Sequence, residues 1–188
     1  MNKYTSLIVV AAFATSCSSS LAPLRKDGLK PTVVTETVLH DTDDPAIWIH
    51  PTNPQESLVI GTDKDTDGGL YVFNLQGKII KKSETIKRPN NVDIAYGLQI
   101  DGVLTDIAVT TERETNKIRI FSLPDLKPLD NGGIPVFEGE LERDPMGIAI
   151  YTRPSDKAVF AIVGRKSGPS GSYLWQYELK GTSNAKVE

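Results

Sequence analysis

The strand that sets the pattern of this chain lies in residues 43–51, which read Asp43-Asp44-Pro45-Ala46-Ile47-Trp48-Ile49-His50-Pro51. Two adjacent carboxylates repel each other, and aspartate does not favour extended structure. The apolar run that follows is typical of a strand. Two interpretations of the acidic pair stay open. The pair ends a loop and caps a turn before Pro45, or it binds a cation such as Ca²⁺, which prefers oxygen ligands.

Short β-rich runs recur along the chain between turn residues, and helix signals are nearly absent after the N-terminus, which is the pattern of an all-β protein. Predicted inner strands lie at residues 46–50, 91–96 and 147–152. A second set lies at 57–62, 105–111 and 157–163, and a third set at 69–75, 117–123 and 172–179. The leucines that end the third set, Leu75, Leu123 and Leu179, are 48 and then 56 residues apart.

A repeat of about 40–50 residues with four strands each predicts the blades of a β-propeller. Fourth strands are expected at residues 79–86 and 136–141, and residues 32–39 are expected to form an outer strand that closes the ring. A propeller needs about four to eight blades, but only three repeats are visible, and a fourth strand should begin near residues 184–188. We therefore expect the N-terminal part of a larger propeller.

The N-terminal 17 residues are predicted to be a signal peptide. Lys3 precedes an apolar core at residues 7–14 that is too short to span a bilayer. Cys17, the only cysteine, follows that core and is similar to a bacterial lipoprotein processing site, although Ala14 stands where leucine is usual. An ordinary cleaved signal is the alternative. Residues 18–31 are predicted to be a tether, and residues 32–188 the folded domain.

These features predict where the protein acts and which partners it lacks. We expect export, with a lipid anchor at the bacterial outer membrane or cell surface as the only membrane contact, or otherwise a secreted or periplasmic protein. A single cysteine allows no internal disulfide. The net charge is −3, and no basic run is interleaved with aromatic residues. We therefore expect no nucleic-acid partner.

The repeats are predicted to place charged residues on one rim of the propeller. The first and third strands of an antiparallel blade run in the same direction, so the loops that enter them share a rim. Loops entering the first strands carry Asp43-Asp44, Asn90-Asn91-Val92-Asp93 and Asp144, and loops entering the third carry Lys64, Arg113 and Arg165-Lys166. Such cations suit phosphate, and carboxylates beside them suit bridging metal ions. Solvated loop charges are the alternative.

Three motifs resemble landmarks of the β-propeller phytase family, in the same order. They are Asp43-Asp44-Pro45-Ala46-Ile47-Trp48, Asn90-Asn91-Val92-Asp93-Ile94 and Gln176-Tyr177-Glu178-Leu179. The resemblance covers about residues 32–188 and implies a six-bladed propeller, of which about half is present here. It also implies calcium-dependent hydrolysis of the phosphate monoesters of myo-inositol hexakisphosphate, the reaction of a phosphoric monoester hydrolase of the 3-phytase type.

The resemblance implies calcium ligands among these residues. Asp44 and the main-chain carbonyls of Pro45 and Val92 would hold a structural Ca²⁺ between blades. Asp43 would bind Ca²⁺ in the catalytic centre.

Substrate contacts are implied as well. Lys64, Arg113 and one of Arg165 or Lys166 would contact the phosphates of phytate, or of another inositol phosphate bound as its calcium complex. Met146 stands where better-known members have a phosphate-contacting tyrosine.

Different classes of function stay open. The first is the calcium-dependent phytase, with activity that this chain alone could lack because the acidic residues of later blades are absent from it. The second is a non-catalytic surface half-propeller that binds calcium or a phosphorylated ligand and pairs with the missing half. A third, another extracellular propeller enzyme such as a lactonase, leaves the recurring cations unexplained.

Overall fold

The computed structural model describes residues 25 and 27–188. The chain divides into Met1–Thr32, in which Arg25 pairs with Asp27, and Val33–Glu188. The predicted signal peptide at residues 1–17, with Cys17, and residues 18–24 and 26 of the predicted tether lie outside the described residues. Within the described part, no helix is both long enough and apolar enough to cross a membrane.

Residues Val33–Glu188 form three antiparallel sheets, which we call blades 1 to 3. Blade 1 contains β1 (Thr42–Trp48), β2 (Leu58–Asp63), β3 (Gly69–Asn74) and β4 (Ile79–Lys82). Blade 2 contains β5 (Pro89–Ile100), β6 (Val103–Glu112), β7 (Lys117–Ser122) and β8 (Ile134–Pro135). Blade 3 contains β9 (Pro145–Thr152), β10 (Val159–Arg165) and β11 (Leu174–Leu179). Short 3₁₀ helices cover Pro54–Glu56, Arg113–Thr115 and Ser170–Ser172.

The strand order within each blade follows the chain, as in a meander. This confirms the predicted all-β fold and a partial propeller of about three blades, with the three predicted sets of strands in place. The count of six blades for a complete propeller stays a prediction.

The apolar residues of β6 show why the blades stack. Successive side chains of a strand point to opposite faces, so Ala108 packs toward Ile60 of blade 1, whereas Val109 packs toward Val163 of blade 3. Ala108, Ile60, Val109 and Val163 are all fully buried. The central blade therefore contributes to two hydrophobic cores, one on each face.

Two predicted outer strands are wrong. The strand predicted at residues 136–141 is replaced by β8 and a turn, because Phe137 adopts a left-handed backbone (φ 53°) and its ring is buried beside Trp175 and Tyr177. Residues 32–39 form no strand. Glu36 instead donates its N–H to the carbonyl of Gly77, and this binds the segment to the loop before β4.

Two other segments also differ from expectation. The strand predicted at residues 79–86 ends at Lys82, where β4 ends. The fourth strand expected near residues 184–188 is not formed, and residues 180–188 make a short hairpin with one bridge between Gly181 and Val187. The N–H of Val187 donates to the carbonyl of Leu129, so this hairpin returns to blade 2.

Buried threonines connect neighbouring blades near the inner strands. The hydroxyl of Thr62 in blade 1 donates to the carbonyl of Asn90 in blade 2 at 3.0 Å. The hydroxyl of Thr111 in blade 2 repeats this contact with the carbonyl of Met146 in blade 3 at 3.1 Å. Thr62 and Thr111 are both fully buried, so a polar contact of the same kind holds each inner strand against the preceding blade.

Aspartates on the inner strands make a second kind of connection between blades. Asp44 accepts the N–H of Val92 at 3.0 Å, and Asp93 accepts the N–H of Ile150 at 2.7 Å. In both cases a carboxylate accepts a main-chain N–H across a blade boundary. A hydrogen bond to a carboxylate is stronger than one to a neutral acceptor. Together with the threonines, these bonds determine how the blades align along their axis.

We predict that Thr111→Val destabilises the protein by about 1–3 kcal/mol, the usual effect of leaving buried main-chain groups without a partner. Besides donating to Met146, the Thr111 hydroxyl accepts the N–H of Asn91 at 3.2 Å. Valine has nearly the same shape, so the change removes hydrogen bonds and little else. Urea unfolding followed by tryptophan fluorescence measures the effect. Thr152→Val, at the opposite end of blade 3, is the control and should change stability by less than about 0.5 kcal/mol. Equal stability of the two variants would contradict the prediction.

Candidate functional site

One rim of the three blades collects the predicted site residues. The first strands β1, β5 and β9 begin at this rim, and the second strands β2, β6 and β10 end there. The strand register places the start of each first strand opposite the end of the second strand of the same blade. Thr42 lies opposite Asp63, Pro89 opposite Glu112, and Pro145 opposite Arg165. The prediction that these loops share a rim is therefore confirmed by the strand register.

Asp43 and Lys64 meet directly at this rim. The Lys64 ammonium nitrogen lies 2.7 Å from Oδ1 of Asp43 and 3.5 Å from Oδ2 of Asp41. The hydrogen bond to Asp43 raises the pKa of Lys64 above its usual value, against a smaller opposing effect of desolvation. Lys64 is therefore held as a cation at the entrance to β1, with its charge shared between two carboxylates.

Asn90 extends this pair across the boundary between blades 1 and 2. Its Nδ2 donates to Oδ2 of Asp43 at 3.3 Å, and its Oδ1 accepts a hydrogen bond from the guanidinium of Arg113. Asn90 is only 2% exposed. Lys64 and Arg113 are thus joined through Asp43 and Asn90. The sequence motif contained Asn90 but assigned it no role, because its place between the two cations depends on the blade packing.

Arg113 is a partly buried cation whose hydrogen bonds are incomplete. Its Nε is buried without a partner among the described residues, where no carboxylate lies within ion-pair distance of it. Burial lowers the pKa of Arg113, and the nearby charge of Arg88 lowers it further, while Asp144 and Asp43 oppose these effects. Arg113 is therefore partly removed from solvent without a directly paired carboxylate among the described residues.

The structure distinguishes Arg165 from Lys166. Arg165 is buried, and its guanidinium donates to Oε2 of Glu140 at 2.8 Å and to the carbonyl of Glu142 at 3.1 Å. By strand register it is the equivalent of Asp63 and of Glu112, the buried last residues of β2 and β6. Arg165 connects the rim to the loop before β9.

Lys166 is exposed and stands at the position of Lys64 and Arg113. In each blade the main-chain N–H of this cation donates to a carbonyl of the loop that enters the first strand. The acceptors are Asp41 for Lys64, Arg88 for Arg113 and Asp144 for Lys166, at 2.8, 3.2 and 2.8 Å. Lys166, rather than Arg165, thus completes the repeated set of cations that the sequence placed on this rim.

Two of the residues predicted to hold a structural Ca²⁺, Asp44 and Val92, are in contact through the main-chain N–H of Val92. Oδ2 of Asp44 contacts the main chain of Val92 across the blade boundary, and Pro45 follows Asp44 directly in β1. A carboxylate and main-chain carbonyls make an all-oxygen set, which is the ligand type that Ca²⁺ prefers. Over the described residues, however, no three His, Cys, Asp or Glu side chains cluster as metal ligands. Calcium here would therefore need carbonyl and water oxygens beside Asp44.

A cavity of about 970 Å³ lies at the opposite ends of the same strands. Trp48, Tyr96, Leu104 and Leu123 line it, so its walls are mainly apolar. The Trp48 indole N–H donates to Asp106 at 2.8 Å within this wall. The cavity lacks the converging cations of the rim, and we therefore place the candidate site at the rim.

Comparison with known proteins identifies the family of this chain. A family model described as Phytase matches residues 3–188. The chain belongs to the phytase family. A curated relative, the 3-phytase of Bacillus subtilis (strain 168), is 32% identical over 137 residues, which cover 70% of this chain and 35% of that 3-phytase. The resemblance to the phytase family is thereby confirmed, and the chain spans about a third of the length of this relative.

For this member of the phytase family, we predict that Asp43→Asn lowers the pKa of Lys64 toward its usual value of 10.5. Asp41→Asn is the matched variant and should lower the pKa less, because Asp41 is more distant from the ammonium group. NMR titration of the Lys64 side-chain carbons between pH 9 and 12 measures both (a window of about three units around the usual pKa). The raised pKa also determines how the contribution of Lys64 to the free energy of unfolding changes with pH. A raised pKa means that the contribution of Lys64 is present below its unfolded pKa and is lost as the pH rises through its folded pKa. An unchanged pKa in Asp43→Asn would contradict the assigned pairing.

Proposed function

We propose that this rim takes part in calcium-dependent hydrolysis of the phosphate monoesters of myo-inositol hexakisphosphate, the reaction of a 3-phytase. The observation that carries the proposal is the connection of Lys64 to Arg113 through Asp43 and Asn90, in a chain of the phytase family. It brings two cations, a carboxylate and an amide to one place. A densely phosphorylated substrate requires several positive charges close together.

Phosphate recognition is proposed for Lys64, Arg113 and Lys166. They stand at equivalent positions of three blades, so their charges face one rim. A guanidinium can donate two parallel hydrogen bonds to a phosphate, and an ammonium group acts as a point charge. Arg165 is left out of this set because its guanidinium is buried and already paired with Glu140.

Calcium would complete the site at Asp43 and stabilise the fold at Asp44. We propose that Asp43 contributes to the catalytic calcium site, and that Asp44 and the carbonyls of Pro45 and Val92 hold the structural ion. When bound at a hydrolytic centre, such ions neutralise phosphate charge and lower the pKa of a water. The residues of this chain would orient one phosphate through Lys64 and Arg113. Their charges would stabilise the phosphoryl group while its bond to the inositol oxygen breaks and its bond to the water oxygen forms.

A second candidate function is a non-catalytic half-propeller that binds calcium or a phosphorylated ligand. The outer face of blade 3 favours it, because Tyr151 and Leu174 are 47% and 69% exposed there. Apolar side chains on an unpaired sheet face indicate a contact with another protein segment. The proposed partner is a further set of propeller blades. Export, with either a lipid anchor at Cys17 or a free secreted form, stays a prediction beside both functions.

The first experiment measures phosphate release from calcium phytate by the purified chain, with and without a calcium chelator. We expect release that the chelator abolishes, and Lys64→Met should reduce kcat/KM by about 100-fold, the typical effect of removing one group that stabilises developing charge. Lys127→Met changes an exposed lysine at the opposite end of blade 2 and should retain full activity. Absence of turnover beside intact calcium-dependent stabilisation would favour the half-propeller function. Turnover that is indifferent to chelator would contradict the calcium proposal.

The second experiment measures thermal stability against calcium concentration. At calcium 100-fold above its Kd, the unsubstituted chain should gain about 2.7 kcal/mol, and Asp44→Asn should lose this gain. Asp67→Asn is the control, since Asp67 lies in the acidic turn before β3 and its side chain is 76% exposed. No stabilisation of the unsubstituted chain, or an equal loss in both variants, would contradict the role of Asp44.

A further inference from the structure

The hairpin that joins β5 to β6 projects at the end of the blades opposite the rim. Thr62 and Thr111 make equivalent contacts in blades 1 and 2, so Leu58, the first residue of β2, corresponds to Ile107 of β6. β6 begins four residues earlier, at Val103. At about 3.3 Å per residue this adds about 13 Å of strand. β5 and β6 therefore continue as a paired ribbon beyond the point at which β1 and β2 stop pairing.

The end of this ribbon, residues 101–104, is called the hairpin tip. Asp101 and Gly102 both have left-handed backbones (φ 48° and 78°), which is the conformation of a tight two-residue turn. Val103 and Leu104 follow the turn and are 62% and 72% exposed. Neighbouring exposed apolar side chains of this size indicate a contact surface.

The cavity of about 970 Å³ lies directly beside the hairpin tip, whose residues Val103 and Leu104 form part of its wall. Ile49 and Tyr96 add two further exposed apolar side chains to the same wall. The Ile49 N–H donates to the Tyr96 hydroxyl at 3.0 Å, which holds these two residues together. A projecting apolar tip and an apolar hollow thus share one face. Such a face can pair with a copy of itself, because a two-fold axis brings each element against the other.

The charges of this face are also self-complementary. Asp101 is exposed and makes no ion pair among the residues that the structure describes. Lys127 lines the cavity, its side chain is 76% exposed, and its ammonium nitrogen lies 3.7 Å from Asp125, which is itself 3.9 Å from Lys81. Two-fold pairing that inserts the tip into the cavity brings Asp101 of each copy toward Lys127 of the other.

A lipid surface fits this face less well than a second copy. Three aspartates, Asp101, Asp106 and Asp125, line the cavity beside Lys127. Anionic membranes attract clusters of lysine and arginine. The excess of acidic residues therefore argues against a membrane as the occupant.

We propose that two copies of this chain associate through this face, with the hairpin tip of each copy in the cavity of the other and Asp101 of each beside Lys127 of the other. The cationic rim lies at the opposite end of the same strands, so the interface leaves the rims of both copies open to a ligand. The inference does not rest on the proposed function.

The test is sedimentation equilibrium of the full chain at about 1–100 μM, where we expect a dimer that dissociates on dilution. Asp101→Lys and Lys127→Asp should each raise the dimer Kd about 10-fold, because two exposed ion pairs become like-charge contacts. An equimolar mixture of these two variants restores both pairs in a heterodimer. Its Kd should therefore lie within about threefold of the value for the unsubstituted chain.

Leu104→Asp should raise the dimer Kd by more than about 100-fold, because it places a charge in an apolar contact. Leu174→Asp is the matched control, since Leu174 is an equally exposed leucine on the outer face of blade 3, and it should dimerise as the unsubstituted chain does. Thermal unfolding of each variant distinguishes loss of the dimer from loss of the fold.

Three results would overturn the interface. They are an unsubstituted chain that stays monomeric at every concentration, a mixture of the two charge variants that shows no recovery, and a dimer that Leu174→Asp abolishes but Leu104→Asp leaves intact. A monomer that sediments with vesicles of phosphatidylglycerol and phosphatidylethanolamine, and loses this binding in Leu104→Asp, would also overturn it and assign the face to a lipid surface.

Discussion

Hydrogen bonds that align blade 1 with blade 2 position the residues of the site. Asp44 accepts the N–H of Val92, and Thr62 donates to the carbonyl of Asn90, at the point where both inner strands begin. These contacts are buried or half-buried, so their geometry is costly to change. They bring Asn90 beside Asp43, and without that contact the cations of the two blades would not share a hydrogen-bonded connection.

The rim combines charges in a way that folding alone does not favour. Lys64 is well paired, but Arg113 is partly buried with no carboxylate within ion-pair distance among the described residues, and Arg88 adds a like charge near it. Buried structural arginines of this chain look different. Arg119 contacts Asp130 at 2.8 Å, and Arg165 contacts Glu140 at the same distance. This contrast within one molecule supports the proposal that the rim cations bind a ligand, whereas Arg119 and Arg165 hold the fold together, because residues that break folding rules are typical of functional sites.

Much of this arrangement could be predicted from the sequence, because equivalent positions of the three repeats can be compared with one another. The inner strands and the positions of Lys64 and Arg113 followed from matching runs. The choice between Arg165 and Lys166 did not, since it depends on the register that pairs Pro145 with Arg165. The strand predicted at residues 136–141 is not formed. An apolar run in a sequence does not show whether the backbone stays extended or turns into the core, and at Phe137 the backbone turns into the core.

Hydrogen–deuterium exchange of the full chain, with and without calcium and myo-inositol hexakisphosphate, tests whether the ligand binds where blades 1 and 2 meet at the cationic rim. We expect protection on binding to concentrate in residues 41–44, 64–66, 88–93 and 113–116. Protection confined to residues 96–106 and 122–129, around the apolar cavity at the opposite end, would contradict it, as would an exchange pattern that the ligand leaves unchanged.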